Sequence, residues 1–371
     1  MNTLKKIGLT ALGTSLVASS AFAGEITASG DAGYTYSSEE VGVRTDEGYG
    51  FNHDITFSGS GELDNGFTVS TTMILVEGSS LSSSNVTLGM GGLGSITIGS
   101  GWAGVGGNYD DMTPRAYEEN HDGMKTSTAI DNMGALTDGN AVMYTSPSFD
   151  LAGASASFML GFTPEAGDSA TGEGGVATQS VAYGSGTELG VKVDVAGLTL
   201  GAYGMEVEND QGKESEQQNA MTATWYANYS FGPVSVGYQT GGLDYGKDTA
   251  ATAATSAKTI AAAGGNFEFE KMSIAFNVNE NLSLSWGELE ETYDAQSNVA
   301  SGTEVADVEM SSTSIQFAYT MGSMSIKGYQ TDTDNPGWDS NAKSDEVTEL
   351  AVNFALSLIH ISEPTRPRLI S

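Results

Sequence analysis

Apolar and polar residues alternate along most of this chain with a period of two, the repeat of a strand whose two faces meet different surroundings. Residues 53–76 show it most plainly. Ile55, Phe57, Gly59, Gly61 and Leu63 share one face, and Thr56, Ser58, Ser60 and Glu62 share the other. Asp64-Asn65-Gly66 then turns the chain, because Asn-Gly readily takes the left-handed dihedrals of a tight hairpin. Phe67, Val69, Thr71, Met73 and Leu75 resume the apolar face. The pattern recurs. Trp225, Ala227, Tyr229 and Phe231 lead through Gly232-Pro233 to Val234, Val236 and Tyr238. Met272, Ile274, Phe276 and Val278 lead through Asn279-Glu280-Asn281 to Leu282, Leu284 and Trp286. Ile315, Phe317, Tyr319 and Met321 lead through Gly322-Ser323 to Met324 and Ile326.

The alternation predicts sixteen strands, at about 25–37, 51–63, 67–77, 84–91, 94–100, 140–147, 153–162, 177–195, 198–208, 218–231, 234–244, 266–278, 281–290, 310–321, 324–331 and 346–355. The even number rests on reading 177–195 as one long strand, and it returns both ends to the same side. Turns on one side are very short. Connections on the other are long, acidic and rich in Gly, Ser, Thr and Ala. One face of the strands is mostly Ser, Thr, Gly, Asn and Gln, while the opposite face carries Trp225, Phe231, Trp286 and Tyr319 near strand ends. This suits an outward apolar band with interfacial aromatics around a wet lumen. In lipid such a sheet must close on itself, since no water pairs with a free edge. The expected fold is therefore all-β, a 16-stranded antiparallel transmembrane β-barrel. Alternation alone does not reveal which face is wet, so an acidic secreted β-sandwich, such as an adhesin, stays open.

The two ends read differently. Lys5 and Lys6, the apolar run Ile7 to Val17, and Ala21-Phe22-Ala23 form a secretory signal peptide over 1–23, with cleavage expected after Ala23. From Leu356 to Ser371 the text LSLIHISEPTRPRLIS changes composition sharply and resembles a translated sequencing adapter, so a non-native tail is expected over 356–371 and a barrel over 24–355.

Composition narrows the function. The 371 residues carry a formal charge of −33, and −36 once Lys5, Lys6, Glu363, Arg366 and Arg368 are set aside. That argues against a nucleic-acid partner, which needs clustered Lys and Arg. With no Cys and three His, thiolate metal sites and disulfides are excluded, and His53, His121 and His360 have no ligand spacing. No phosphate-binding Gly-rich loop and no nucleophile elbow occurs, so the chain does not read as an enzyme.

Three stretches are more specific: Glu25-Ile26-Thr27-Ala28-Ser29-Gly30-Asp31-Ala32, Phe57-Ser58-Gly59-Ser60-Gly61-Glu62-Leu63-Asp64-Asn65-Gly66-Phe67, and VTLGMGGLGSITIGSGW from Val86 to Trp102. They resemble the general porins of alphaproteobacteria. The resemblance implies a homotrimer in the cell outer membrane, surrounded by its lipids and lipopolysaccharide. It also implies diffusion of small hydrophilic solutes and ions, no required cofactor, and a third long loop folded inward as a constriction. A substrate-specific channel is the nearest alternative.

That loop is expected over 101–139, with Trp102 and Tyr109 at its base. Its candidate pore-lining residues are Asp110, Asp111, Arg115, Glu118, Glu119, Asp122, Lys125 and Asp131. Relatives often place arginines ahead of the second strand, where this chain has Asn52, His53 and Asp54. Positive charge in the barrel is left to Arg44, Lys192, Lys271 and Lys327, and Lys271 shares the polar face of Ser273 and Asn277. A lumen of mostly one sign concentrates cations. Asp110, Asp111, Glu118 and Glu119 are hard oxygen donors that could hold calcium, though without a calcium-loop spacing.

Overall fold

The structure, a computed structural model, describes residues 26–42, 44–76, 80–100, 104–122, 128–137, 141–166, 183–209, 219–244, 246, 266–294 and 307–357. The expected signal peptide, Trp102, Lys125 and the chain from 358 onward lie outside the described residues.

Sixteen antiparallel strands close a barrel. They are β1 (Ile26–Val41), β2 (Arg44–Glu62), β3 (Thr68–Val76), β4 (Ser80–Gly89), β5 (Ser95–Ser100), β6 (Ala141–Thr145, resuming at Phe149–Leu151), β7 (Ala154–Thr163), β8 (Tyr183–Val195), β9 (Leu198–Asn209), β10 (Ala220–Phe231), β11 (Val234–Asp244), β12 (Asn266–Asn277), β13 (Leu282–Asp294), β14 (Val308–Met321), β15 (Met324–Asp334) and β16 (Asp345–Ser357). Each pairs with its sequence neighbours, and β16 pairs with β1 from Ser357↔Ser29 to Asp345↔Val41. Strand β6 breaks at Pro147, which has no N–H for the ladder. Ser146 spans the break: its N–H donates to the Phe158 carbonyl and its Oγ accepts the Phe158 N–H, each at 2.9 Å.

The tight turns follow from their residues. At Asn65-Gly66 the glycine sits at φ 81°, and the Leu63 N–H reaches the Phe67 carbonyl at 2.7 Å. The Asn65 side chain accepts the Phe67 N–H at 3.0 Å.

Burial decides which face is wet. Ile315 is 65% exposed, while its neighbour Ser314 is fully buried. Trp225, Phe231, Ile274, Phe276 and Leu284 are exposed, while Thr222, Thr224, Ser273, Ser285, Ser312 and Gln316 are buried. A water-soluble sandwich would bury the first set and expose the second. Along these stretches the apolar residues face outward and the polar ones inward, the inversion expected of a barrel in lipid, while Phe267, Phe269, Leu289 and Tyr293 are buried on the inward register. No helix among the described residues is long and apolar enough to cross a membrane, and this barrel crosses with strands.

Two boundaries differ from expectation, and a third, the start of the strand placed over 177–195, lies outside the described residues. The first hairpin continues through 38–50, pairing up to Val41↔Arg44, because these residues keep extending the ladder instead of forming a long loop. Arg44, expected among the lumen charges, therefore starts β2 at the hairpin tip. At the other end β16 runs two residues past Ala355, with Leu356 opposite Gly30 and Ser357 opposite Ser29. The long strand placed over 177–195 is described from Tyr183.

Candidate functional site: the inward loop and the lumen wall

The chain between β5 and β6 folds into the barrel and is seated on the inner wall by a sequence of polar contacts. At its start, the Glu188 carboxylate of β8 accepts the N–H groups of Val105 (3.2 Å) and Gly106 (3.0 Å), and also the Tyr203 hydroxyl at 2.7 Å. Tyr109 stacks on Tyr203 with ring centroids 5.6 Å apart and lies over Gly190, where any side chain would overlap its ring. Further along, Gln239 of β11 accepts the Met112 N–H at 2.8 Å and donates to the carbonyls of Tyr109 (2.8 Å) and Asp110 (2.6 Å). Ser273 donates to the Pro114 carbonyl (2.6 Å), and Ser285 accepts the Ala116 N–H (2.9 Å). Gln316 of β14 accepts the Tyr117 N–H (3.0 Å) and donates to the Glu118 carbonyl (2.7 Å). Tyr117 donates to Glu349 of β16 at 3.0 Å, and Ser312 of β14 donates to the Asn120 carbonyl at 3.1 Å. The returning arm is tied by Glu291 of β13, which accepts the N–H groups of Ala129 (2.8 Å) and Ile130 (3.1 Å). An irregular segment has no partner strand for its backbone, so wall side chains satisfy it.

Charged groups of the loop gather around Lys271 and around His121, and Arg115 faces both Asp111 and Glu119. Asp111 forms an ion pair with Lys271 of β12, both side chains fully buried, and faces Arg115 at 3.2 Å. Burial alone would push the Asp111 carboxyl up, but the Lys271 ammonium and the Arg115 guanidinium hold it below the ordinary carboxylate range. His121 Nε2 lies 2.7 Å from Asp131 Oδ1 and 3.3 Å from Glu119 Oε2. Burial would lower the imidazole pKa; hydrogen bonds to Asp131 and Glu119 instead raise it to about 10. Burial would raise Asp131, and His121 lowers it to about 2. Asp110 is pushed up to about 7 by burial and by the charges of Glu119, Asp111 and Asp131. Glu118 is pushed up to about 7 by burial and by Asp122.

A sequence profile described as "Gram-negative porin" matches residues 8–357, ending where β16 ends. The chain belongs to the Gram-negative porin family. Solved structures with the same fold include Salmonella typhi OmpF in complex with daunomycin (TM-score 0.67, 12% identity, 90% of this chain and 98% of that chain). A porin refined at 1.8 Å is similar with TM-score 0.56 and 17% identity, over 90% of this chain and all of that one. Vibrio cholerae OmpT in its trimer form is similar with TM-score 0.56 and 12% identity, over 89% and 99%. No curated protein matches the chain. Membership of the family places this porin in the outer membrane.

Within the porin, the predicted site residues separate. Asp110, Asp111, Arg115, Glu118, Glu119 and Asp122 lie on the inbound arm and Asp131 on the returning arm. Lys271 does point inward, but it meets Asp111 rather than open lumen. Lys327 lies 4.9 Å from the centre of the Tyr117 ring, and Lys192 pairs with Asp194 at 3.3 Å. In the first hairpin β1 and β2 set Asp31 directly across from Asp54. His53 faces the other way, its ring 5.3 Å from Phe51.

Of the four carboxylates that could hold calcium, Asp111 is engaged by Lys271 and Arg115. Among the described residues the ligand-spaced group is instead Glu119, His121 and Asp131, with donor atoms within 4.8 Å of one another. Sequence spacing missed His121, whose partner Asp131 arrives only when the loop doubles back. It also missed Glu188 and Glu291 as loop anchors. The available signal was a carboxylate on the inward register of a strand, flanked two residues away by Gly186 and Gly190 in one case and by Leu289 and Tyr293 in the other.

Proposed function

We propose that this porin is a general diffusion channel for small hydrophilic solutes and ions and that it prefers cations. In this reading the inward loop narrows the lumen, and Asp110, Glu118, Glu119, Asp122 and Asp131 contribute its fixed charge beside Arg115. One observation carries the preference: the Lys271 charge is enclosed against Asp111, while on β1 and β2 two carboxylates, Asp31 and Asp54, stand opposite one another in the ladder. A low-dielectric channel lined by one sign of charge concentrates counterions and repels co-ions.

The same reading makes the porin a homotrimer in contact with outer-membrane lipids and lipopolysaccharide. The trimeric form of OmpT supports the assembly, and the outward apolar band supports the lipid contact. Passive diffusion by this route needs no cofactor and no chemistry on the solute.

Reconstitution in a planar bilayer under a salt gradient tests the proposal. The reversal potential should have the sign of cation selectivity, and insertions should open in groups of three. Anion selectivity would refute the charge argument, and silence of well-folded protein would refute the channel.

A further inference from the structure

The group formed by Glu119, His121 and Asp131 has no part in seating the loop on the wall, yet it is built more carefully than a chance cluster. Its donors are one imidazole nitrogen and two carboxylate oxygens. This mixture of nitrogen and oxygen suits zinc and its neighbours among the transition metals better than calcium, which takes six or more oxygens. One of the two separations suits it as well. In a tetrahedral zinc site with bonds near 2.0–2.1 Å, neighbouring donor atoms lie roughly 3.3 Å apart. Nε2 of His121 is 3.3 Å from Glu119 Oε2, and its 2.7 Å contact with Asp131 Oδ1 is a hydrogen bond that a metal would replace as the two atoms move apart.

The two carboxylates have outer partners, while Nδ1 of His121 is buried without a hydrogen-bond partner. The second oxygen of Glu119 faces Arg115 Nη2 at 3.2 Å. The second oxygen of Asp131 accepts the Thr128 hydroxyl at 2.7 Å. Each carboxylate is thereby oriented by one oxygen and turns the other toward the imidazole, the arrangement in which outer-shell groups hold metal ligands. His121 is buried, whereas the Asp131 side chain is 37% exposed, leaving a side from which water can complete the coordination.

We propose that His121 Nε2, Glu119 and Asp131 bind a divalent cation of the zinc class, which clips the two arms of the inward loop together. The channel consequence rests on the reading that this loop narrows the lumen; the binding itself does not. A bound dication would offset the two carboxylates and reduce the porin's preference for cations. Because metal and proton occupy the same nitrogen, binding releases a proton.

Calorimetric titration of Zn2+ into the full refolded porin in detergent tests the site. One saturable site per chain is expected, with a binding enthalpy that changes with the ionisation enthalpy of the buffer. His121→Gln and the more exposed Asp131→Asn should each weaken binding at least tenfold, and heat-dependent electrophoretic migration checks that both variants fold. Ca2+ at the same concentration should give no comparable binding. Equal Zn2+ affinity in wild type and both variants, or equal competition by Ca2+, would overturn the proposal. In the bilayer, Zn2+ should move the wild-type reversal potential toward zero and leave that of His121→Gln unchanged. A porin that binds Zn2+ in detergent but shows no cation selectivity without it would sink the charge reading and leave the metal site standing.

Discussion

Lys271 on β12 and Asp111 on the inward loop form an ion pair in which neither side chain reaches solvent. Removing one member of such a pair leaves an uncompensated buried charge, which typically costs about 3–5 kcal/mol. Arg115 still faces Asp111 at 3.2 Å. The porin Lys271→Met should therefore lose about 3 kcal/mol, the low end of that range, and its single-channel conductance should rise as the loop loosens. The double variant Lys271→Met/Asp111→Leu should recover most of the stability, because no charge is then left buried. Urea unfolding in lipid vesicles measures the first effect and bilayer recording the second. A double variant as unstable as the single one would contradict this account.

Tyr109 rests directly over Gly190, and there is no room for a side chain beneath it. Gly190→Leu should push the base of the loop off the wall and cost about 1–3 kcal/mol, as overpacking does. The barrel should still close, since the outward residues of β8 are untouched. Unchanged conductance with a normal melting profile would show that Tyr109 does not fix the loop.

Asp110 should make the channel depend on pH. Its carboxyl titrates near 7, raised by burial and then by Glu119, Asp111 and Asp131. A raised acid is neutral below that value and charged above it, so cation selectivity should climb as pH rises through about 7. The stability linkage has the opposite trend. The folded chain holds this proton more tightly than the unfolded chain, so the stability it contributes is full below the ordinary carboxylate range and is lost as pH rises toward 7. Reversal potentials recorded on either side of neutrality, in wild type and in Asp110→Asn, check the first point. The pH dependence should be weaker in the variant.

The two faces of the wall should tolerate charge differently. Ile274 points outward beside Val236 and Trp286. Ile274→Arg should cost about 2–4 kcal/mol if this level lies near the bilayer midplane. Ser58→Arg, on the inward register of β2, should cost much less and should alter selectivity instead. Refolding yields and unfolding free energies compare them. Ser314 shows that inward is not the same as wet: it is fully buried and bonded to Thr331 at 3.0 Å, so Ser314→Arg should disturb the neighbouring Gln316, whose Nε2 lies 3.3 Å from Ser314 Oγ.

Much of the barrel was legible because its rules are local. A period of two is visible in any strand, and Asn65-Gly66 carries its turn in its own dihedral preferences. The ends of the first hairpin differed for the same reason in reverse. The segment 38–50 is acidic and glycine-containing, so it reads as a loop, yet cross-strand pairing continues through it.

The site was less legible. The loop's position and its acidic character could be read in order along the chain, and Lys271 could be assigned an inward face by parity alone. Which carboxylate meets which cation could not. Asp111 and Glu119 sit in similar text, but one is enclosed by Lys271 from β12 while the other faces His121 and Asp131. The linear sequence determined the strands, their turns, the polarity of each face and the excess of negative charge, because each depends on neighbours one or two residues apart. Only the tertiary structure decided which charges are paired within the loop and which remain for the lumen. Those pairings join residues brought together by barrel closure and by the doubling back of the loop, and contacts at that range leave no period in the chain.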